Sequence, residues 1–170
     1  MVKTQRSIGD VPTPYVYEGV VKPEWVDDNG HMNVAYYMSA FDDGGEVFFA
    51  DPGIGWDYTR QKEGTVFIVS SKVDYHGELL AGDKFVVATR LIDFKPKMLH
   101  VYYEINKRTN NQDDHRLCAT AEILYMHILF KTRKSSEMPD KVLARLGQVQ
   151  AAHKSLATPP GLGAGLELRP

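Results

Sequence analysis

The chain has 170 residues, 43% hydrophobic and 25% charged, the size and mix of one soluble domain with a single core. Twenty Lys and Arg against 22 Asp and Glu leave a net charge of −2, so no global field draws it to nucleic acid or an anionic membrane, and an anionic ligand has to be met locally. There is no apolar run of about 18 residues to span a bilayer, and the opening MVKTQRSIGDVPTP lacks a signal peptide's apolar stretch; a cytoplasmic protein that binds neither membrane nor nucleic acid is expected.

After a loose lead-in of fourteen residues, Tyr15 to Lys22 (YVYEGVVK) reads as a short strand of aromatic and β-branched residues that Pro23 ends. A polar turn, Asp27-Asp28-Asn29-Gly30, precedes a helix over Asn33 to about Phe49. Its apolar residues Val34, Tyr37, Met38, Phe41 and Phe48 recur at helical spacings. Gly44 and Gly45 inside it each cost about 1 kcal/mol relative to Ala, which points to a close approach of sheet backbone to that face. Pro52-Gly53 stops the helix, and Gly55-Trp56-Asp57-Tyr58 follows as a loop.

From Thr65 the period changes to that of strands, in four runs: Thr65 to His76, Lys84 to Phe94, Met98 to Arg108 and Leu117 to Lys131. Ala81-Gly82-Asp83, Lys95-Pro96-Lys97 and Thr109 to Asp114 separate them as turns. Short connections predict antiparallel neighbours, hence a four-stranded meander. The single cysteine, Cys118, excludes an internal disulfide and reads as a small core residue of the last run. Pro139 to His153 predicts an amphipathic helix with Val142, Leu143, Leu146 and Val149 on one side. The expected domain spans 1–154, and the Gly- and Pro-rich 155–170 is expected to be a flexible tail. The class is therefore α+β: a five-stranded antiparallel sheet wrapped around one long central helix, plus a C-terminal helix. Such a sheet keeps an open edge that a homodimer can pair.

The chemistry concentrates in Trp25-Val26-Asp27-Asp28-Asn29-Gly30-His31-Met32-Asn33-Val34-Ala35-Tyr36-Tyr37. Asn33 is a good N-cap, able to accept from the N–H of Ala35 or Tyr36, which leaves the Val34 N–H free at the positive end of the helix dipole. A free N–H there can polarise a carbonyl and hold the oxyanion formed on attack. Asp27 upstream can serve as general base for water or as nucleophile. Base plus oxyanion donor suggests acyl transfer to water. A turn with a cap and no chemistry is the bland alternative; His31 can orient Asp27, meet a substrate or hydrogen-bond the turn, and Tyr36 and Tyr37 can be plain core.

The run DDNGHMNVAYYMSAFDDG resembles the signature of the hot-dog-fold acyl-CoA thioesterases of the 4-hydroxybenzoyl-CoA thioesterase-like family: an Asp, then Gly-His-Met/Val-Asn three residues later at the start of the central helix. The element order over residues 13–133, and the segment DYHGELLAGDKF, are similar too. The resemblance implies that Asp27 attacks the thioester or activates water and that the Val34 N–H polarises the carbonyl, and it assigns His31 and Asn33 to the site. Many relatives carry Asn-Asn where this chain has Asn33-Val34; the donor is a backbone group, so the chemistry survives. By analogy it places Ser71 and His76 near the site, on the partner subunit's side. It further implies an acyl-CoA substrate, a homodimer or homotetramer, and no cofactor.

The six histidines form no close ligand pair such as HExxH, so no metal is expected. Gly161 to Gly165 is no phosphate loop, and no Gly-x-Ser-x-Gly elbow exists. Lys95 and Lys97 can meet CoA phosphates as point charges or stand as solvated turn lysines. For the acyl group, Trp56 with Tyr36 and Tyr37 offers aromatic faces beside Asp57, and such faces attract a quaternary ammonium by about 0.5–2 kcal/mol each. The subfamily with Asp-(Tyr/Asp)-Asn-Gly-His-Met, here Asp27 to Met32, also resembles thioesterases of bacterial carnitine breakdown, which implies betainyl-CoA; a short-chain or aryl acyl-CoA is the plainer expectation. A non-catalytic hot-dog dimer that binds acyl-CoA or serves as a structural module is the alternative from another class, and the acidic Asp27 at the helix mouth argues against it.

Overall fold

The structure, a computed structural model, describes residues 7, 8, 10–108 and 115–165; the expected turn at 109–114 and residues 166–170 of the expected tail lie outside them. The elements in chain order are β1 (Ser7–Ile8), β2 (Val11–Pro12), β3 (Tyr15–Val20), a 3-10 turn (Pro23–Trp25), α1 (Val34–Ala50), α2 (Trp56–Arg60), β4 (Gly64–Tyr75), β5 (Lys84–Lys95), β6 (Met98–Arg108), β7 (His115–Leu129), β8 (Lys134–Ser135) and α3 (Asp140–His153). The main sheet runs β3-β5-β6-β7-β4, all antiparallel, with the two-residue β8 added to β7; β1 and β2 pair separately.

The five long strands and both long helices stand where the hydrophobic period puts them. α1 turns Tyr37, Ala40, Phe41, Gly44, Gly45, Phe48 and Phe49 into the sheet, a stripe of three- and four-residue steps. Facing it, Val87, Leu99, Val101, Tyr103, Ile105, Ala121 and Ile123 alternate with outward residues along β5, β6 and β7. The glycines of α1 have a steric reason. A Cβ on Gly44 would lie 2.6 Å from Val87 Cγ1, and one on Gly45 2.9 Å from the Tyr103 hydroxyl. Thr89 Oγ1 also donates to the Gly44 carbonyl at 3.1 Å, fixing that approach. Gly44→Ala is therefore expected to lower the urea midpoint: overpacking costs about 1–3 kcal/mol against the roughly 1 kcal/mol that Ala gains in helix propensity.

Two local expectations are corrected. β4 does not neighbour β5; only β5-β6-β7 is a meander, and β4 pairs with β7 at the opposite side of the sheet from β5. Residues 76–83 form a crossing strap that ends in the expected turn at Ala81-Gly82-Asp83. His76 and Gly77 N–H both donate to the Cys118 carbonyl, Leu79 is fully buried, and its carbonyl accepts from Met32 N–H at 2.7 Å. The strap thus braces the segment that enters α1. The loop at Gly55–Tyr58 is in fact the N-terminal part of α2, and its N-terminal donor, Trp56 N–H, is met by the Glu46 carboxylate at 2.8 and 3.0 Å.

Cys118 is fully buried and unpaired, and burial pushes its thiol up, as a core residue requires. α3 lays Val142, Leu146 and Val149 into the same core, and Arg145 grips Asp51 beyond the end of α1 at 3.0 Å. Beyond α3, Ala157 and Pro160 carbonyls accept from Arg90 and Tyr102, and Gly163 N–H donates to Glu122.

His153 closes α3 as a neutral ring: Nδ1 accepts from Leu91 N–H at 2.9 Å, and Nε2–H donates to the Pro12 carbonyl at 2.8 Å. Burial holds its pKa below the usual histidine value. A base with a depressed folded pKa lets the unfolded chain take up protons first, so stability is present above the unfolded value of about 6.5 and falls as pH drops through it. Thermal melts are expected to show a lower Tm at pH 5 than at pH 7.5, with the pH difference reduced in His153→Gln.

Candidate active site

The segment entering α1 is built by local backbone rules. Asp27 to Gly30 forms a tight turn, with Gly30 N–H on the Asp27 carbonyl at 2.9 Å and Gly30 at φ +83°, a left-handed position that glycine takes without strain. Val26 and Met32 then pair as an isolated bridge. Asn33 N–H donates to the Trp25 carbonyl at 2.9 Å, and Asn33 Oδ1 accepts from Ala35 N–H at 3.0 Å as the helix cap.

Asn33 has a second task. Its Nδ2 donates to Asp27 Oδ2 at 3.1 Å, while Asn29 N–H donates to Asp27 Oδ1 at 2.9 Å. One side chain thus caps the helix and pins the carboxylate beside the cap. The Asn29 N–H, with the Asn33 amide and the nearby His31, holds the Asp27 carboxyl below the ordinary carboxylate range, outweighing a desolvation effect of opposite sign. Asp27 is therefore ionised at neutral pH.

Val34 occupies the first helical position, its N–H makes no hydrogen bond among the described residues, and the residue is 61% exposed. A free donor on the helix axis thus opens to solvent beside a fixed carboxylate, the pair of groups that acyl transfer needs. The Trp25 ring stacks on Tyr36 at 5.2 Å and 11°, and Lys22 Nζ lies over the Trp25 ring, 5.3 Å from its centroid. This aromatic wall at the helix mouth escaped the sequence reading, since no local pattern pairs residues eleven apart.

The other expected site residues are distributed differently. His31 stays at the mouth, its Nδ1 3.4 Å from the Met32 carbonyl. Tyr37 lies inside the core, its hydroxyl on the Gly77 carbonyl at 3.4 Å and its ring edge-on to Tyr75; burial raises its phenol to about 12. Trp56 sits beside Asp42 and Glu46 in a separate cavity, eight and twelve residues along α1 from Val34, or about 12 and 18 Å of helix rise. Ser71 is exposed on β4, and His76 follows that strand, its Nε2 3.4 Å from Thr120 Oγ1. Within one chain no hydrogen bond among the described residues links Trp56, Ser71 or His76 to Asp27.

The family model of the thioesterase-like superfamily matches residues 21–146, a span that holds the whole helix mouth. The chain belongs to the thioesterase-like superfamily. Among curated relatives of this superfamily member, the betainyl-CoA thioesterase of Pseudomonas aeruginosa is 27% identical over 154 residues, covering 91% of this chain and 94% of its own. The L-carnitine dehydrogenase/betainyl-CoA thioesterase of a Rhizobium species is 28% identical over 161 residues; the match takes in 95% of this chain but only 31% of that longer relative. A Staphylococcus aureus protein solved in complex with CoA superposes with a TM-score of 0.82 at 24% identity, over 96% of this chain and all of that one. The DHNA-CoA thioesterase of the same species gives 0.74 at 15% identity, over 84% and 94%. These likenesses confirm the hot-dog architecture of a curled antiparallel sheet around α1.

Proposed function

We propose that the protein hydrolyses the thioester of a small acyl-CoA, with betainyl-CoA as its substrate. The observation that carries this reading is the ionised, doubly anchored Asp27 beside the free Val34 N–H. The thioester carbonyl oxygen accepts from Val34 N–H, and the carbonyl carbon becomes more electrophilic as charge builds on that oxygen. Asp27 delivers the attack, adding to the carbonyl carbon itself or taking a proton from the water that adds. The C–S bond breaks and the thiolate of CoA takes up a proton; where Asp27 itself has added, water then cleaves the anhydride it forms, so the sum is one water consumed for one free acid and one thiol. His31 and Asn33 keep the carboxylate and the cap in register.

The acyl assignment rests on the curated relatives at 27% and 28% identity, whose names specify betainyl-CoA, and the CoA assignment is supported by the CoA-bound structural relative. A homodimer is supported by β4: twelve residues long and hydrogen-bonded on one side only, to β7, it exposes Phe67, Ile68, Val69 and Tyr75 by 44–49%. An apolar open edge of that length is a site for strand pairing with a second copy, and it would carry Ser71 and His76 to the junction. Among the described residues no helix is long and apolar enough to cross a membrane, and a cytoplasmic location fits the unpaired Cys118.

The test is a panel of acetyl-, benzoyl- and betainyl-CoA with free thiol followed in time. Release fastest from betainyl-CoA is expected. Equal rates on acetyl- and betainyl-CoA would remove the acyl assignment, and no release from any member would leave the non-catalytic acyl-CoA-binding dimer.

A further inference from the structure

The cavity that takes Trp56 away from the helix mouth has its own chemistry. It encloses ≈ 330 Å³ between the second half of α1, α2, β4 and β7, within the range of about 300–1,000 Å³ of small-molecule sites. Aromatic rings of Phe49, Trp56 and Tyr125 form walls, and the carboxylates of Asp42 and Glu46, one helical turn apart, stand at it. Trp56 is 45% exposed, and no aromatic ring or cation among the described residues stacks on it.

The local charge is unbalanced. Asp42 has no hydrogen bond or ion pair among the described residues, and Glu46 accepts from the Trp56 N–H with the charge of Arg60 nearby. Arg60 is shared, paired with Asp57 at 2.6 Å while its charge reaches Glu46, and Arg133 lies over the rings of Phe67 and Phe130, so Asp42 keeps no cation of its own. A metal ion is a poor match, because no third His, Cys, Asp or Glu completes a ligand set among the described residues and the walls are aromatic. A cation without hydrogen-bond donors, which aromatic faces and an uncompensated carboxylate attract together, is the chemistry that fits.

We propose that this cavity binds a quaternary ammonium group, at a site about 12 Å along α1 from the Val34 N–H. A glycine-betaine group esterified at the same chain's helix mouth is too short to reach it, so the inference goes beyond the hydrolytic reading and does not depend on it. Two sources share the chemistry, a free small cation and the acyl group of a substrate bound to a second copy.

The experiment uses the two indole N–H resonances, of Trp25 and Trp56, in the ¹H–¹⁵N spectrum of the full chain, assigned with Trp56→Phe. Tetramethylammonium chloride is expected to shift the Trp56 resonance saturably and leave that of Trp25 in place, while the uncharged analogue neopentyl alcohol shifts neither. Asp42→Asn, an exposed helix position that leaves the fold intact, is expected to weaken the cation by about tenfold. Overturning results are a Trp56 resonance that does not saturate, an equal response to neopentyl alcohol, or an Asp42→Asn variant that binds as wild type does. The source is read separately: Asp42→Asn that raises KM for betainyl-CoA and not for acetyl-CoA assigns the site to the acyl group, and unchanged KM values assign it to the free cation. A chain that binds tetramethylammonium yet releases no thiol keeps this site and loses the hydrolytic reading.

Discussion

Asp27→Asn is expected to lower kcat on an acyl-CoA by about 10²–10⁴-fold, the loss typical of a positioned acid–base group. The amide keeps an oxygen for the Asn29 N–H, but its nitrogen would face the Asn33 amide nitrogen, now 3.1 Å from the carboxylate. One hydrogen bond at an exposed carboxylate is lost, too little to unfold a domain. A thermal melt run beside the assay separates the two effects. The anchored carboxylate also fixes the acid limb of the wild-type pH profile. The Asn29 N–H stabilises the charged form, so the protonation of Asp27 that removes activity falls below the ordinary carboxylate value of about 3.9. Activity is expected to persist from neutral pH down to that limb unless the fold fails first, and the His153 dependence makes Tm the necessary companion measurement.

Val34→Pro isolates the other half of the site, because it deletes one backbone N–H and little else. Proline is welcome at the first helical position, where the N–H has no intrahelical partner. Asn33 at φ −65°, ψ 146° already has the extended backbone that a residue before proline adopts. The Val34 side chain is largely exposed, so little packing changes. Removing one oxyanion donor costs about 10²–10³-fold in kcat. The expected result is that loss with unchanged helix content and a KM within a few-fold of wild type. Val34→Ala, which keeps the N–H, is expected to retain most activity.

The helix mouth was legible because everything in it is local. The cap, the free N–H and the carboxylate fall within eight consecutive residues, Asp27 to Val34, and capping geometry is a property of backbone and sequence together. The strands were legible for the same reason, since alternation marks a strand wherever it pairs. Pairing itself was not: nothing in Thr65 to His76 says that it runs beside β7, because that choice is made by the strap at 76–83 and the burial of Leu79. α2 was missed because its cap comes from Glu46, ten residues upstream on another element. Trp56 was grouped with Tyr36 and Tyr37 as one aromatic surface, yet α2 carries it to the far half of α1 and Tyr37 goes into the core. The buried His127, 3.0 Å from the Tyr58 hydroxyl and 2.9 Å from the Ser136 carbonyl, ties α2 to the sheet and had no signal in a strand of alternating residues. Asp42 and Glu46 carry no local signal either, since only the fold brings aromatic rings beside them.

The proposed cleavage of a thioester by the carboxylate and the N–H at the mouth of α1 is open to direct test. Its most direct measurement is the rate of free thiol release from betainyl-CoA by wild type and by Asp27→Asn, both shown folded by thermal melt. Steady release of one thiol per molecule of acid by wild type, reduced at least a hundredfold in Asp27→Asn (the lower end of the roughly 10²–10⁴ range), is the predicted result. Thiol release by Asp27→Asn at the wild-type rate, or none above the buffer blank by wild type, would contradict it.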